Sequence, residues 1–414
     1  MIKNAIYRKD KVLSFSIFLF FFIQILNGSI KLIFEFSSIQ NSLISYFFGV
    51  IYIIHFIIRV FPIVYKKSKN ILILSYGTFI PLYLFSLISV SSRGEQIEWL
   101  MSSYILWTFA FWIPLGITAY SILNYKTLYD VLIKYSYILS VILFIVFLKT
   151  VIFMSKEQEM IYSMGFSYLS LIPAILHLSY YLVSKRKIIL LIFLGEMIMI
   201  LLIGSRGAII TLFSFIIIKF FISNKPLFFK FTRAILIASV FLVLFFNLGN
   251  INNFVKEKYG IRSRTLAKFS DSDTEQITNR SISWLTGLKL IEEKPILGYG
   301  IGGDYYPMVK ATSFLEAPIG SPHNGFIQLA MQLGVPFGLF FGLWLFLSIF
   351  KIRKNHSFQH RELLIITFAI FVIPSLTVGD EIFIKPGIAM YIYMNLKYSS
   401  KNKIINSIKK IKHE

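Results

Sequence analysis

Apolar runs of about 20 residues, the length of a helix that crosses a bilayer, recur along almost the whole chain. This recurrence narrows the fold to a bundle of membrane-spanning helices. The runs lie at 12–30, 43–64, 71–90, 100–122, 136–154, 164–183, 188–203, 208–222, 234–248, 325–349, 362–378 and 383–396. Lipid offers no hydrogen-bond partner to the backbone, so segments that cross it must be helices or closed barrels, and runs of this length are helical. The expected fold is therefore an all-α polytopic membrane protein with about twelve transmembrane helices. Composition agrees. Only 15% of the 414 residues are charged, against roughly 25% in soluble domains. The 43 Phe and 23 Tyr suit lipid-facing surfaces and interfacial aromatic belts.

The net charge of +22 would suggest nucleic acid in a soluble protein. Its distribution says otherwise. Basic residues collect in every second connection: Lys3, Arg8, Lys9 and Lys11; Lys66, Lys67 and Lys69; Lys126 and Lys134; Lys185, Arg186 and Lys187; Lys225, Lys230 and Arg233; Lys351, Arg353, Lys354 and Arg361; and the tail from Lys397 onward. The alternate short loops hold only Lys31, Arg93, Lys156 and Arg206. By the positive-inside rule both termini face the cytoplasm, the charge is a topology signal, and nucleic acid is not a partner. The basic start and first apolar run lack a small-residue cleavage site, and they read as a retained first helix.

Four regions follow. Residues 1–249 carry helices one to nine, and 250–322 form a large extracytoplasmic loop with an amphipathic helix. Residues 323–398 carry helices ten to twelve, and 399–414 form a basic cytoplasmic tail. A loop this long is usually functional or disordered. Within it, Asn279–Glu293 has helical periodicity, with Arg280, Trp284, Gly287 and Ile291 on one face. Pro295 ends that helix, and Gly298–Gly303 reads as a flexible turn. The segment is expected to lie on the outer membrane surface.

Three residues carry candidate chemistry. Arg206 sits on the outer side within Gly204-Ser205-Arg206-Gly207, where glycines allow close approach of another group. A charge at membrane level is functional by default, although an arginine there also suits snorkelling to lipid phosphates. In Ser321-Pro322-His323-Asn324, Ser321 suits an N-cap and Pro322 the first helical position. His323 is then expected in the first turn, where the helix N-terminus disfavours imidazolium and leaves a proton acceptor. The plainer reading is a polar helix start. Arg280 faces the same external space, or is a solvated charge on its helix. Glu196, the pair His55 and Arg59, and the turn Asp380-Glu381 are weaker candidates, and Lys149 and Lys219 suit snorkelling. No metal-ligand spacing such as His-Glu-x-x-His is present. The lack of cysteine excludes thiol catalysis, Cys-ligated zinc and iron–sulfur clusters. No cofactor is expected. Two arginines, which hold phosphate bidentately and stay charged, with one histidine suit group transfer from a lipid diphosphate to an alcohol.

The Gly204–Gly207 turn resembles the O-antigen polymerase and O-antigen ligase superfamily. So do Asn279-Arg280, Trp284, Pro295, Gly298-Tyr299-Gly300, His323-Asn324-Gly325, Gln328 and Gly334, in order and spacing. The resemblance covers Gly204 to Gly338. It implies a GT-C-type membrane glycosyltransferase in a bacterial cytoplasmic membrane, metal-independent and inverting, with an extracytoplasmic active site. Its donor would be a glycan on undecaprenyl diphosphate. On this resemblance Arg206 and Arg280 bind and stabilise the diphosphate, His323 activates the acceptor hydroxyl, and Asn324, Tyr299 and the late acidic Asp380 contact substrate. It implies undecaprenyl-diphosphate-linked oligosaccharide as both donor and acceptor, membrane lipids, and a chain-length regulator protein as partners. The favoured activity is polymerisation of O-antigen or capsule repeat units. The alternative is ligation of the glycan to lipid A core. A second alternative, a transporter or flippase, predicts two related halves with the main cytoplasmic connection between helices six and seven; here that connection is only Ser184–Lys187.

The charge alternation makes a direct prediction. Single cysteines at Ser272 and Ser313 should label with an impermeant reagent on intact cells, and cysteines at Ser68, Asn224 and Ser400 should not. Labelling at the second set with protection of the first would invert the topology.

Overall fold

The computed structural model describes residues 2–34, 37–90, 94–157, 160–161, 163–222, 274–352, 357–378 and 382–397. Between 223 and 273 it describes residues 226, 232, 239, 247, 250–254, 256–258, 260 and 262–263. The described chain is helical. Its one strand pairing is two residues long, β1 (Met160–Ile161) parallel to β2 (Arg262–Ser263). The helices are α1 (Ile2–Phe34), α2 (Ser38–His55), α3 (Phe61–Val90), α4 (Gly94–Leu100), α5 (Ile113–Ser121), α6 (Tyr125–Glu157), α7 (Met164–Ser184), α8 (Lys187–Ile203) and α9 (Arg206–Ile222). After them come α10 (Thr274–Glu293), α11 (Tyr305–Ala311), α12 (Gly325–Leu333), α13 (Val335–Lys351), α14 (Phe358–Thr367), α15 (Ile373–Val378) and a last helix α16 at 386–397. Wide π-turns join α2 to α3, α4 to α5 and α14 to α15.

Among the described residues, six helical runs are long and apolar enough to cross a bilayer, and Gly207–Ile222 and Val335–Phe350 are shorter apolar helices. The protein is a multi-pass membrane protein. The expectation of about twelve crossings is therefore met only in part, for three reasons. The predicted second and third crossings form one helical run, Ile39–Val90, interrupted at Ser68 (φ −142°, ψ 31°). The predicted ninth, 234–248, lies almost wholly outside the described residues. The last, α16, rises only about 18 Å, well short of a bilayer core of about 30 Å. Hydropathy marks every apolar run alike, whatever length of it becomes straight helix.

Two compact units make up the chain. Unit 1 comprises residues 1–13, 56–123 and 274–414; unit 2 comprises 14–55 and 124–273. In unit 1, connections expected on one side of the membrane do meet. Lys67 Nζ donates to Asp10 Oδ1 at 3.0 Å, and the Leu123 N–H donates to the same carboxylate. The Ser68 and Ser121 hydroxyls are 2.7 Å apart, and Lys397 Nζ donates to the carbonyls of Tyr120 and Ile122. At the other set of connections Gln96 Nε2 donates to Gly303 O at 3.1 Å. Because Ser68 is buried, protection there would not report sidedness; the exposed Lys66 and Asn70 are the proper sites for that label. In unit 2, Lys149, expected to snorkel, donates its ammonium to Ile33 O at the end of α1, where a helix C-terminus favours a cation.

Asp10 is wholly buried and Lys67 largely so. Removing one partner of such a pair costs about 3–5 kcal/mol. Lys67→Met should therefore lower the unfolding midpoint of the detergent-solubilised protein, and an unchanged midpoint would show that the pair is solvated.

Candidate functional site

α10 builds the site in unit 1. Its inward stripe is Ser283, Gly287 and Leu290, all buried, while Arg280 and Trp284 are exposed. The predicted face of Arg280, Trp284, Gly287 and Ile291 was thus rotated. A hydrophobic count places Trp284 inward, yet beside Leu285 and Leu288 it forms an exposed apolar strip of the kind a helix lays on a membrane surface. The stripe is fixed by two contacts. The Ser283 hydroxyl is shared between Arg280 O at 2.9 Å and Pro322 O at 3.1 Å. Gly287 leaves no room for a side chain, since a Cβ there would lie 2.7 Å from Ile327 and 3.2 Å from Pro322. One hydroxyl therefore holds the backbones of Arg280 and of the residue before His323 together, and the Arg280 and His323 side chains are both exposed.

His323 does not lie in the first turn of a helix. The N-cap is Asn324, whose Oδ1 accepts from the N–H groups of Phe326 and Ile327 at 3.0 and 3.2 Å, and α12 begins at Gly325. Ser321 and Pro322 precede it. Asn is as good an N-cap as Ser, and His323 takes a left-handed conformation (φ 49°). That conformation is uncommon outside glycine, is enriched in His, and is held where the surroundings dictate it. The surroundings are visible. Gly320 packs on the ring of Tyr305, with a Cβ position 2.2 Å from it, and Tyr305 stacks on Trp99 at 4.1 Å.

The glycine-rich turn is not a flexible loop. Gly298, Gly300 and Gly302 have φ of 66°, 84° and 75°. The backbone of 295–300 pairs with 331–335 through Tyr299 N to Met331 O (2.8 Å), Gly300 N to Gln332 O (3.0 Å) and Val335 N to Pro295 O (2.7 Å). At Gly334 (φ 78°) a Cβ would lie 1.9 Å from Ile296 O. Tyr299, expected among the substrate contacts, is buried with Leu290, Met308 and Met331. Its hydroxyl donates to Glu293 at 2.7 Å, and burial pushes its phenol pKa up. Its place is in packing. Beneath the turn, buried Asp304 accepts from Gln332 Nε2 at 2.8 Å, with Gln328 Nε2 at 3.5 Å. Ser283, Asp304, Gln332 and Tyr305 were not singled out from the sequence; only the unbroken Gly302-Gly303-Asp304 run hinted at them. Next to this turn, Gly300 and Ile301 border an apolar cavity of about 640 Å³ whose walls include Phe79, Phe85, Phe340 and Phe341.

In unit 2, Gly204 and Ser205 are the only residues between α8 and α9, so the expected break is real. A Cβ on Gly204 would fall 2.1 Å from Ile200 O and 2.8 Å from Ser167 Cβ. Ser205 Oγ accepts from Ser167 Oγ at 3.2 Å and from the Ala208 N–H. Arg206 opens α9; its side chain, and Asp380 with Glu381, lie outside the described residues. His55 ends α2, and Arg59 lies in the π-turn Phe56–Val60 that follows it. Among the described residues no group of His, Asp and Glu could hold a metal ion.

A family model described as O-antigen ligase matches residues 188–342. Those residues are similar to the O-antigen ligase family. The match is consistent with the O-antigen polymerase and ligase superfamily. No curated protein and no solved structure matches the chain. The matched stretch runs from α8 into α13, so it takes in the Gly204–Arg206 turn, α10, the glycine turn and His323. Its glycines are the positions where this structure needs them, for backbone sealing at Gly298 and Gly334 and for close packing at Gly204 and Gly287.

Gly334→Ala would force a left-handed alanine whose Cβ overlaps Ile296 O. The expected result is loss of folded protein from the membrane, measured by detergent extraction and size exclusion. Normal yield and a normal elution profile would show that the 295–335 pairing is dispensable.

Proposed function

We propose that the protein polymerises lipid-linked repeat units of an O-antigen or capsule polysaccharide on the outer face of the bacterial cytoplasmic membrane, with both termini inside. The observation that supports this reading is the Ser283 bridge, which ties the backbone of Arg280 to that of Pro322, the residue before His323, within the stretch that matches the O-antigen ligase family. In the proposed reaction His323 takes the proton from an acceptor sugar hydroxyl. The hydroxyl oxygen attacks the anomeric carbon of the donor glycan opposite the diphosphate, so the new glycosidic bond forms with inversion. The bond from the anomeric carbon to the diphosphate oxygen breaks, and undecaprenyl diphosphate leaves.

Arg280 neutralises the charge that develops on the diphosphate, which its planar guanidinium can hold bidentately. Arg206 and the late acidic Asp380 keep the roles that the family resemblance implies, in diphosphate and substrate binding, and Asn324 contributes its remaining amide donors. The apolar cavity beside Gly300 suits the lipid chain of such a donor. The assignment includes a metal-independent GT-C-type mechanism and a chain-length regulator as partner. The description of the matching family favours one second reading, ligation of the glycan to lipid A core.

Purified protein supplied only with undecaprenyl-diphosphate repeat units and a chelator should produce a ladder of longer lipid-linked glycans. His323→Ala should lose the ladder while still binding donor, because removal of a general base costs about 10²–10⁴-fold in rate. Arg206→Lys and Arg280→Lys keep charge but lose the planar fork, and should cut the product with normal protein abundance. A ladder at full rate from His323→Ala would remove the base assignment. Transfer to an added core lipid with no ladder would make the protein a ligase.

A further inference from the structure

Three helices of unit 2 meet at a polar cluster that the proposed reaction does not use. His177 on α7 is fully buried and Glu196 on α8 nearly so. His177 Nδ1 lies 2.9 Å from Glu196 Oε1, and His177 Nε2 lies 2.9 Å from Ser136 Oγ on α6. The Ser140 hydroxyl donates to the same Glu196 oxygen at 2.5 Å. Glu196 Oε2 is buried without a partner.

Counting hydrogens assigns the protons. Ser136 Oγ is 2.8 Å from Ile133 O, which can only accept, so the serine hydrogen goes there and Ser136 accepts from His177 Nε2–H. The contact between Nδ1 and Oε1 then needs one proton between the two atoms. It exists either as imidazolium with carboxylate or as imidazole with carboxylic acid, and the pair is electrically neutral in both forms. Without that proton, two lone pairs would face each other at 2.9 Å and a net charge would be buried unpaired, which is expensive.

Within its body α8 has a single polar side chain with which to choose its register. Between Ile188 and Ile203 every side chain but that of Glu196 is apolar or absent. Helices in lipid are not aligned by a hydrophobic force; close packing and polar ties align them. The second set of ties on the same helix pair lies about 12 Å further along α8, where Ser163 N–H donates to Ile203 O at 2.8 Å and Ser167 meets Ser205. We propose that His177 and Glu196 are positioning residues: a neutral, proton-sharing tie that sets the register of α8 on α7 and so places the Gly204-Ser205-Arg206 turn. The catalytic consequence rests on the Arg206 role proposed above; the register itself does not.

The absence of cysteine permits a clean ruler. The Ser167→Cys, Ser205→Cys double variant should form a disulfide on oxidation, because the two hydroxyls are 3.2 Å apart. In Glu196→Gln an amide nitrogen at the Oε1 position can donate one hydrogen to His177 Nδ1 and one to Ser140, so the tie survives without a charge. The disulfide should form as in the parent. In Glu196→Leu and His177→Leu it should be lost or strongly slowed. With the two serines intact, glycan polymerised in cells should fall by about 10²-fold in the leucine variants, the typical cost of misplacing a group by about 1 Å. It should stay near the parent level in Glu196→Gln, with an unchanged pH profile.

An undiminished disulfide in the leucine variants would overturn the proposal. So would a Glu196→Gln variant that loses polymer or shifts the pH profile, since the carboxyl would then act in proton transfer; this arm holds even if the leucine variants fail to accumulate. Loss of the disulfide with full polymer would support the tie and count against the Arg206 role instead.

Discussion

A peptide group buried inside the protein is costly unless it is hydrogen-bonded, so every non-helical stretch that packs inside must be satisfied from within the protein. The rest of unit 1 depends on how this demand is met at 295–304. That stretch leaves helical geometry after Pro295, and its N–H groups are taken up by Met331 and Gln332 while Pro295 O receives Val335. Left-handed glycines make the turn tight enough to pair. Once sealed, the turn buries Tyr299 against Leu290 and Met331, which seats α10 against the start of α12.

From that seat the candidate site follows. A small residue and a hydroxyl, Gly287 and Ser283, let α10 approach Pro322 closely, and the approach delivers Arg280 next to His323. The Tyr305–Trp99 stack and Gly320 hold the preceding loop from the other side. In unit 2 the same logic recurs with different residues. An apolar α8 is aligned by Glu196 and by its close-packed end at Gly204. Where polar and small residues are buried they set the register that apolar surfaces leave open.

How far each feature was legible depended on the range of its physics. Apolar run length and Lys/Arg asymmetry are local, and they identified a multi-pass protein and sorted loops into sets that meet in unit 1, as Asp10, Lys67 and Leu123 do. The start of α10 at Thr274 lies five residues before the expected Asn279, whereas its end was legible from Pro295. Its inward face was not, because the side that packs presents Ser283 and Gly287, whereas Trp284 reads as core by composition alone. The N-cap was placed three residues early, since Ser321-Pro322 and Asn324 are both good helix starts. The seal at Met331 and Gln332, across about thirty residues of sequence, chose the later one. Tyr299 resembled a ligand contact in a glycine loop until its hydroxyl was found on Glu293.

By itself the sequence determined the membrane class, the helical content, the charge difference between alternate loops and the position of Arg206, Arg280 and His323 in or near glycine-rich segments. These are properties of composition and short spacing, which chain connectivity alone sets. Only the tertiary structure decided that Arg280 and His323 share one place, that His323 precedes its helix in a left-handed conformation, and that Glu196 has a histidine for a partner. Each of those depends on two segments far apart in sequence meeting at atomic distance, 39 residues apart for Ser283 and Pro322 and 19 for His177 and Glu196. No local pattern encodes such a meeting, because in lipid it is chosen by close packing and a few buried hydrogen bonds rather than by hydrophobicity.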